Sequence, residues 1–409
     1  MVKDLFERLP SDRNYVLSGR VLTPDGIIEN GIVHVKDGVI QSVAERQSDR
    51  EAIDLDAGEN LIAPGFIDIH VHGALNHGFI GADADGMIEA LRYHYRHGTT
   101  AILATTSTES GDHILQALGR IAEAMRRQEQ GTTEGVGEGR RQLGSTIVGV
   151  HVEGPYLNER QAGAQNPEWL RNPDLEEYQG WEGIAPIRMI TIAPELPGAE
   201  PLIRYIRNQG NVLISAGHTD ATFAEMEAGM EWGVSHCTHF GNGMRGLHHR
   251  EPGVFGSGLI QERLTVELIA DGVHVHPEVL RLVYRVKGAD NTALITDASA
   301  FCGLPDGIYR KELCGRETVI ENGTIRVKKT GGLSGSSLTM NRGAKRMAEL
   351  GAPLTDVWKM ASSVPARLLG LADRKGEIKA GMDADLIVID RDFEVLAAVA
   401  RGEISRWGI

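Results

Sequence analysis

The sequence predicts an α/β protein: a (β/α)8 TIM barrel carrying a small β-sandwich domain made from the two ends of the chain. Three observations lead there. Eight short apolar runs of strand type, at 66–72, 101–105, 146–153, 188–193, 212–217, 234–239, 265–270 and 292–296, alternate with stretches of helical pattern. The residues before and after this region read as β-formers broken by turns instead. A chain of 409 residues is long enough for one large domain and a smaller companion.

Near the N-terminus, YVLSGRVL, GIVHVKDG and VIQSVAE alternate or cluster β-formers, with Pro-Asp-Gly and Lys-Asp-Gly turn signals between them. The closing stretch GEIKAGMDADLIVIDRDFEVLAAVARGEI has the same character. The two ends are therefore expected to pair as one small β domain (1–62 with 373–409), leaving 63–372 to the barrel. Between the eight runs lie helix-like segments such as ADGMIEALRYHYRHG, HILQALGRIAEAMRRQ, GAEPLIRYIRNQG and DATFAEMEAGMEWG, several ending at a C-capping Gly. Residues 128–144, QEQGTTEGVGEGRRQLG, read as an exposed loop. A doubly wound open sheet is the alternative architecture, but no Gly-rich dinucleotide fingerprint follows the first strand.

Composition narrows the function. Apolar residues at 41% supply a sizeable core, and a net charge of −14 argues against a nucleic-acid partner. An anionic substrate would need a local positive site rather than long-range attraction. Three cysteines, Cys237, Cys302 and Cys314, form no disulfide framework and fit a reducing cytosol. The N-terminal stretch lacks the apolar core of a leader, and no apolar run approaches the ~18 residues of a membrane span. The expectation is a cytoplasmic protein with no membrane partner.

The chemistry is written at the strand ends. His70 and His72 lie two apart on the first run, so their side chains share a face. The plain alternative is one histidine packed in the core and the other bonded locally. Other candidates fall at equivalent places: Glu153 ends the third run, His218 follows the fifth, His239 ends the sixth and Asp297 ends the eighth. In a barrel these ends form one rim, where four histidines and two carboxylates would converge. That is a ligand set for a divalent metal, zinc or iron, with a carboxylate to spare. Alternation puts Cys237 on the same face as His239 and His236 on the other. A metal in such a site polarises a carbonyl and makes water acidic enough to attack near neutral pH. Asp297 could take the water's proton and hand it to a leaving amine, without which the tetrahedral species would expel hydroxide instead.

PGFIDIHVHG (64–73), HVEGP (151–155), SAGHTDAT (215–222), LITDA (294–298) and the closing GEIKAGMDADLIVID together resemble the amidohydrolase superfamily. THFGNGM (238–244), LHHREPG (247–253), ADGVHVHP (270–277) and GGLSGSSLTM (331–340) make the chain similar to the N-acetylglucosamine-6-phosphate deacetylases from about Leu61 onward. The resemblance implies a main metal held by Glu153, His218 and His239, and a second metal supported by His70 and His72, hence one or two divalent ions per subunit. It implies Asp297 as catalytic acid and base. It implies substrate contacts from Ala164, Gln165, Asn242, Gly243, Arg250 and His274, and from the backbone of Leu333 near the acetyl group. It also implies a homodimer acting on a small amino-sugar phosphate, with the phosphate site near the partner subunit. An Arg250 guanidinium suits phosphate because its planar fork donates two hydrogen bonds at once; its plain alternative is a surface ion pair with Glu251. Three departures bear on substrate choice: Gln165 stands where the family usually has His, Gly241 and Gly243 replace larger residues, and His77 is an addition.

Three readings therefore enter the structural comparison. The first is a deacetylase of N-acetylglucosamine 6-phosphate. The second keeps the metal chemistry on another N-acyl amino sugar, such as the galactosamine epimer or an unphosphorylated sugar. The third is a non-catalytic sugar- or metal-binding protein on the same barrel.

Overall fold

The structure is a computed structural model and describes residues 13–48, 52–130, 144–310 and 317–405. The loop expected at 128–144 falls largely outside these residues, as does Cys314.

Eight parallel strands form the central sheet in simple chain order: Phe66–Val71, Thr99–Thr105, Thr146–Glu153, Ile187–Ile192, Leu213–Ala216, His236–Cys237, Thr265–Ile269 and Thr292–Ile295. The first and last are joined through a parallel bridge between Val71 and Ala298, flanked by Asp297 N to His70 O and His72 N to Ala298 O, both 2.9 Å. The sheet is thereby closed into the expected (β/α)8 barrel. Strands such as TTAILAT are buried at every position, because helices cover the outside and side chains fill the inside.

The intervening helices carry their own start and stop signals. Asp83 caps Ala84–Arg96 through the Gly86 amide, and Thr222 with Glu225 forms a capping box on Phe223–Trp232. The helix Ala199–Gln209 ends at Gly210, whose φ of 76° is the left-handed cap only glycine adopts freely. Several predicted strands are shorter than expected, two of them markedly. The 212–217 run keeps Leu213–Ala216. The 234–239 run keeps only His236–Cys237, because the chain then turns, with Thr238 N bonded to Ala216 O and His239 at φ 28°.

That turn corrects one expectation. Strict alternation would put Cys237 beside His239, yet His236 is the residue that faces the buried Glu267 and Cys237 packs in the main apolar cluster. The period of two fails where the strand stops, so parity does not carry across the turn.

The ends of the chain meet as expected. Tyr15–Thr23, Gly26–Lys36, Val39–Glu45 and Leu55–Pro64 join Leu386–Ile389, Val395–Ala400 and Glu403–Ser405 in one seven-stranded sheet, mostly antiparallel. The register Leu386↔Pro64 to Ile389↔Leu61 stitches the late segment to the early one. This sheet has a separate core around Leu17, Val33, Ile62, Leu386 and Val399. Contacts to the barrel are specific: Tyr95 OH donates to Ala398 O at 2.8 Å, and Trp358 Nε1 to Pro64 O at 3.0 Å.

One element has no counterpart in the sequence reading. After the eighth strand the chain forms a three-stranded antiparallel sheet, Gly307–Arg310, Glu317–Glu321 and Thr324–Val327, over a small core of Phe301, Ile320 and Ile325. The turn that follows it delivers residues 330–335 to the barrel mouth.

Candidate functional site

The strand ends converge as the sequence suggests. His70, His72 and Asp297 form one group and Glu153, His218 and His239 another; within each, ligand-type atoms lie within 4.8 Å of one another. Glu153 stands between the groups. Its Oε1 is 3.1 Å from His239 Nε2, 3.3 Å from His218 Nε2 and 3.4 Å from His70 Nε2, while Oε2 is 3.3 Å from His72 Nε2. Asp297 Oδ1 lies 3.3 Å from His72 Nε2 and 3.6 Å from His70 Nε2.

The local backbone is bent to make this possible. His218, His239 and Asp297 take φ values of 47°, 28° and 47°, a region side chains seldom occupy. Such strain persists only where surrounding bonds hold it. Here Asn158 N donates to His218 O at 2.9 Å, Ser336 N to Asp297 O at 2.7 Å, and His239 N to Glu267 Oε2 at 2.7 Å.

Hydrogen bonds also fix which ring nitrogen faces inward. His218 Nδ1 donates to Gln161 O at 2.7 Å, and His239 Nδ1 to Asn242 O at 3.1 Å. His70 Nδ1 donates to Glu267 Oε2 at 3.0 Å. With Nδ1 carrying the hydrogen, each Nε2 presents a lone pair to the centre. The Nε2 atoms of His218 and His239 are only 3.0 Å apart, with a carboxylate oxygen as third neighbour, and the buried His70 Nε2 has no hydrogen-bond partner. Lone pairs converging at that distance repel unless a cation sits among them, so the donor set fits a divalent metal.

The electrostatics agree. Burial alone would favour the neutral form of Glu153, but the imidazoles of His70, His218 and His239 crowded against its oxygens hold its carboxyl well below the usual range. Burial likewise opposes ionisation of Asp297, yet the His72 bond and the neighbouring His70 imidazole hold it low. Both acids are carboxylates at neutral pH.

Above these groups opens a cavity of about 440 Å³, lined among others by Ser107, Ala164, Gln165, Asn242, Gly243, His274, Phe301 and Leu333. It is of small-ligand size. Gln165 is buried, accepting from Thr108 N at 2.9 Å and donating to Glu153 Oε2 at 2.5 Å. The amide thus grips the carboxylate between the two groups. A Cβ on Gly243, at φ 54°, would come within 2.9 Å of His218 Nδ1, which gives glycine a physical reason there. His274 donates Nδ1 to Asp271 Oδ2 at 2.7 Å; burial lowers its proton affinity, but the Asp271 bond and charge outweigh this and raise it overall.

Not every expected residue arrives. Arg250 is exposed, outside the cavity lining, with Nη1 2.7 Å from His249 Nε2. It does not pair with Glu251, whose Oε1 accepts from Phe223 N at 2.8 Å and Gly253 N at 3.1 Å. Cys237 belongs to neither group. His77 faces Glu89 at 3.2 Å, away from the cavity lining. Sequence reasoning missed Glu267, although a lone charge inside the apolar run TVELIA is a legible signal of a buried, paired group. It also missed Ser107, 3.4 Å from His72 Nδ1, and, in the wall at 330–335, the cavity-lining neighbours of Leu333.

A closed barrel with paired His and carboxylate groups at its strand ends, and a carboxylate poised beside them, defines a metal-dependent hydrolase acting on amide bonds. The comparisons agree: the amidohydrolase family profile spans residues 61–404. The N-acetylglucosamine-6-phosphate deacetylase of Bacillus subtilis is 36% identical over 390 residues, covering 94% of this chain and 95% of that protein. The N-acetylgalactosamine-6-phosphate deacetylase of Escherichia coli O157:H7 is 35% identical, covering 95% and 98% respectively. Among solved structures, an N-acetyl-D-glucosamine-6-phosphate deacetylase variant from Mycobacterium smegmatis, in complex with N-acetyl-D-glucosamine 6-phosphate, superposes with a TM-score of 0.85 at 32% identity, over 96% of this chain and 99% of that one. The chain belongs to the amidohydrolase family and, within it, to the N-acetylglucosamine-6-phosphate deacetylase family.

Proposed function

We propose that this enzyme hydrolyses N-acetyl-D-glucosamine 6-phosphate to D-glucosamine 6-phosphate and acetate, in cytoplasmic amino-sugar breakdown. The observation that carries the reading is the inward-facing Nε2 set around Glu153 with Asp297 beside it, at the floor of a cavity of small-sugar size. Glu153, His218 and His239 would hold the main ion, and His70 and His72, with Asp297 adjacent, a second; zinc or iron suits these donors. When bound, the metal supplies a Lewis acid and an acidified water. Asp297 accepts the proton of the attacking water and returns it to the nitrogen as the C–N bond breaks, so acetic acid and a neutral amine leave, the acid then giving its proton to solvent as acetate forms. Gln165 keeps Glu153 in place through the amide bond described above.

The phosphate needs its own partners. Asn242, Gly243 and His274 line the cavity, but no Lys or Arg does among the described residues. We assign the missing cation to Arg250, displayed on the exposed loop of a second copy, which makes the active form a homodimer. Ala164 and the Leu333 backbone would flank the sugar and its acetyl group.

The direct test is amine release from the phosphorylated sugar, the free sugar and the galactosamine epimer, after loading with zinc, iron or manganese. Metal-dependent turnover favouring N-acetylglucosamine 6-phosphate is expected. Arg250→Ala should cost at least ~2 kcal/mol in kcat/KM, roughly thirtyfold, with the free sugar unaffected. Equal rates on phosphorylated and free sugar would sink the phosphate assignment.

A pH dependence follows from His274. Its proton affinity is raised, so the cation persists above the ordinary imidazole range and is lost as pH climbs through the raised value. KM for the phosphorylated substrate is expected to rise across that alkaline step, and His274→Gln should remove the step. A KM profile identical in the variant would exclude His274 from phosphate binding.

A further inference from the structure

Glu267 lies beneath both side-chain groups, fully buried on the seventh barrel strand, Thr265–Ile269. One of its oxygens, Oε2, serves two donors at once: His70 Nδ1 at 3.0 Å and the backbone N of His239 at 2.7 Å. His70 belongs to one group and His239 to the other. The other oxygen, Oε1, faces His236 Nε2 at 3.4 Å, and neither of those atoms has a hydrogen-bond partner. His236 is itself oriented by Thr265 Oγ1, 2.5 Å from its Nδ1.

We infer that Glu267 is a positioning residue shared by the two metal groups, fixing the ring of His70 and the bent backbone of His239 through a single carboxylate oxygen. The inference rests on those groups being metal sites. A carboxylate is an acceptor only, so its bond to His70 Nδ1 commits that ring to presenting an Nε2 lone pair to the centre. Its bond to the His239 amide holds a residue at φ 28°, without which the chain would relax and swing the imidazole away. Ligands on different strands are thus tied by one group that touches neither metal nor substrate. The two sites should therefore weaken together when it is altered, which replacing one histidine ligand would not produce.

The shape of the contact separates geometry from charge. Glutamine at 267 would keep one oxygen for both donors and turn its NH2 towards His236 Nε2, supplying the missing partner. Aspartate would keep the charge but, one methylene shorter, would not reach both donors.

The experiment is metal affinity, measured on the full-length protein by competition between a chromogenic chelator and Zn(II), with the Co(II) spectrum reporting the geometry of each site. Wild type should bind two ions; failure to bind any would overturn the metal-site reading and this inference with it. Glu267→Ala, shown folded by circular dichroism, should lose about 10–100-fold in affinity at both sites. His72→Ala should weaken one site only, which distinguishes shared positioning from general damage. If Glu267→Ala does not fold, the other two variants decide. Glu267→Gln near wild type with Glu267→Asp weakened at both sites supports the assignment. Wild-type affinities in Glu267→Asp, or in a folded Glu267→Ala, overturn it.

Discussion

Replacing Asp297 by Asn is expected to lower kcat about 10²–10⁴-fold while leaving KM and metal content close to wild type. The substitution is nearly isosteric. It keeps an oxygen near His72 but removes the proton acceptor. In the native enzyme burial alone would keep Asp297 neutral, and the His72 bond together with His70 overrides that, so the group is a carboxylate ready to accept at neutral pH. The backbone bonds that hold its bent conformation, Asp297 N to His70 O and Ser336 N to Asp297 O, do not involve the side chain and survive the change. Steady-state kinetics with metal analysis on the same sample gives the answer. A variant retaining a tenth or more of the wild-type kcat with full metal would show that some other group moves the proton. A variant depleted of metal would make Asp297 chiefly a ligand. Metal-replete protein without turnover also excludes the non-catalytic reading, in which Asp297 has no task to lose.

Much of this site could be read before any coordinates, for a simple reason. A barrel places every strand C-terminus on one rim, so polar residues directly after apolar runs, such as Glu153, His218 and Asp297, are neighbours in space however far apart in sequence. The pair His70 and His72 needed only the period of a strand, and the rings indeed lie with centroids 5.2 Å apart.

What stayed hidden depends on interactions that carry no period. Nothing in SHCTHFGNG announces that the strand ends at Cys237 and that His239 enters the site from a left-handed backbone. The three-stranded insertion at 307–327 has strands of four and five residues, too short for alternation to stand out, yet it brings Leu333 to the cavity. Gln165 looked like a departure from a histidine. Its value as a clamp on Glu153 depends on a loop path that only the fold supplies. Arg250 shows the converse. The motif around it is legible, but the chain leaves it outside its own cavity, so the role proposed for it needs a second copy.

The second large effect is expected at Glu153. Glu153→Ala should reduce turnover on the order of 10⁴-fold, about 5.5 kcal/mol, and unlike Asp297→Asn it should do so by emptying the main site. The carboxylate lies within 3.4 Å of the inward nitrogens of all four histidines. Without it, His218 and His239 present two neutral donors 3.0 Å apart and no anionic charge, a much weaker trap for a divalent cation. Gln165 simultaneously loses the acceptor that fixed its amide, so the cavity wall loosens where the substrate's acyl end would rest. Metal per subunit should fall by at least one ion after dialysis, and excess zinc should not restore the rate. If the variant keeps its full metal complement, Glu153 is not the ligand that defines the main site. If instead the metal is lost but added zinc brings activity back to within tenfold of wild type, the histidines alone suffice, and the carboxylate serves retention rather than catalysis. The contrast between the two substitutions is the sharper result: Asp297→Asn should separate metal from turnover, and Glu153→Ala should remove both together.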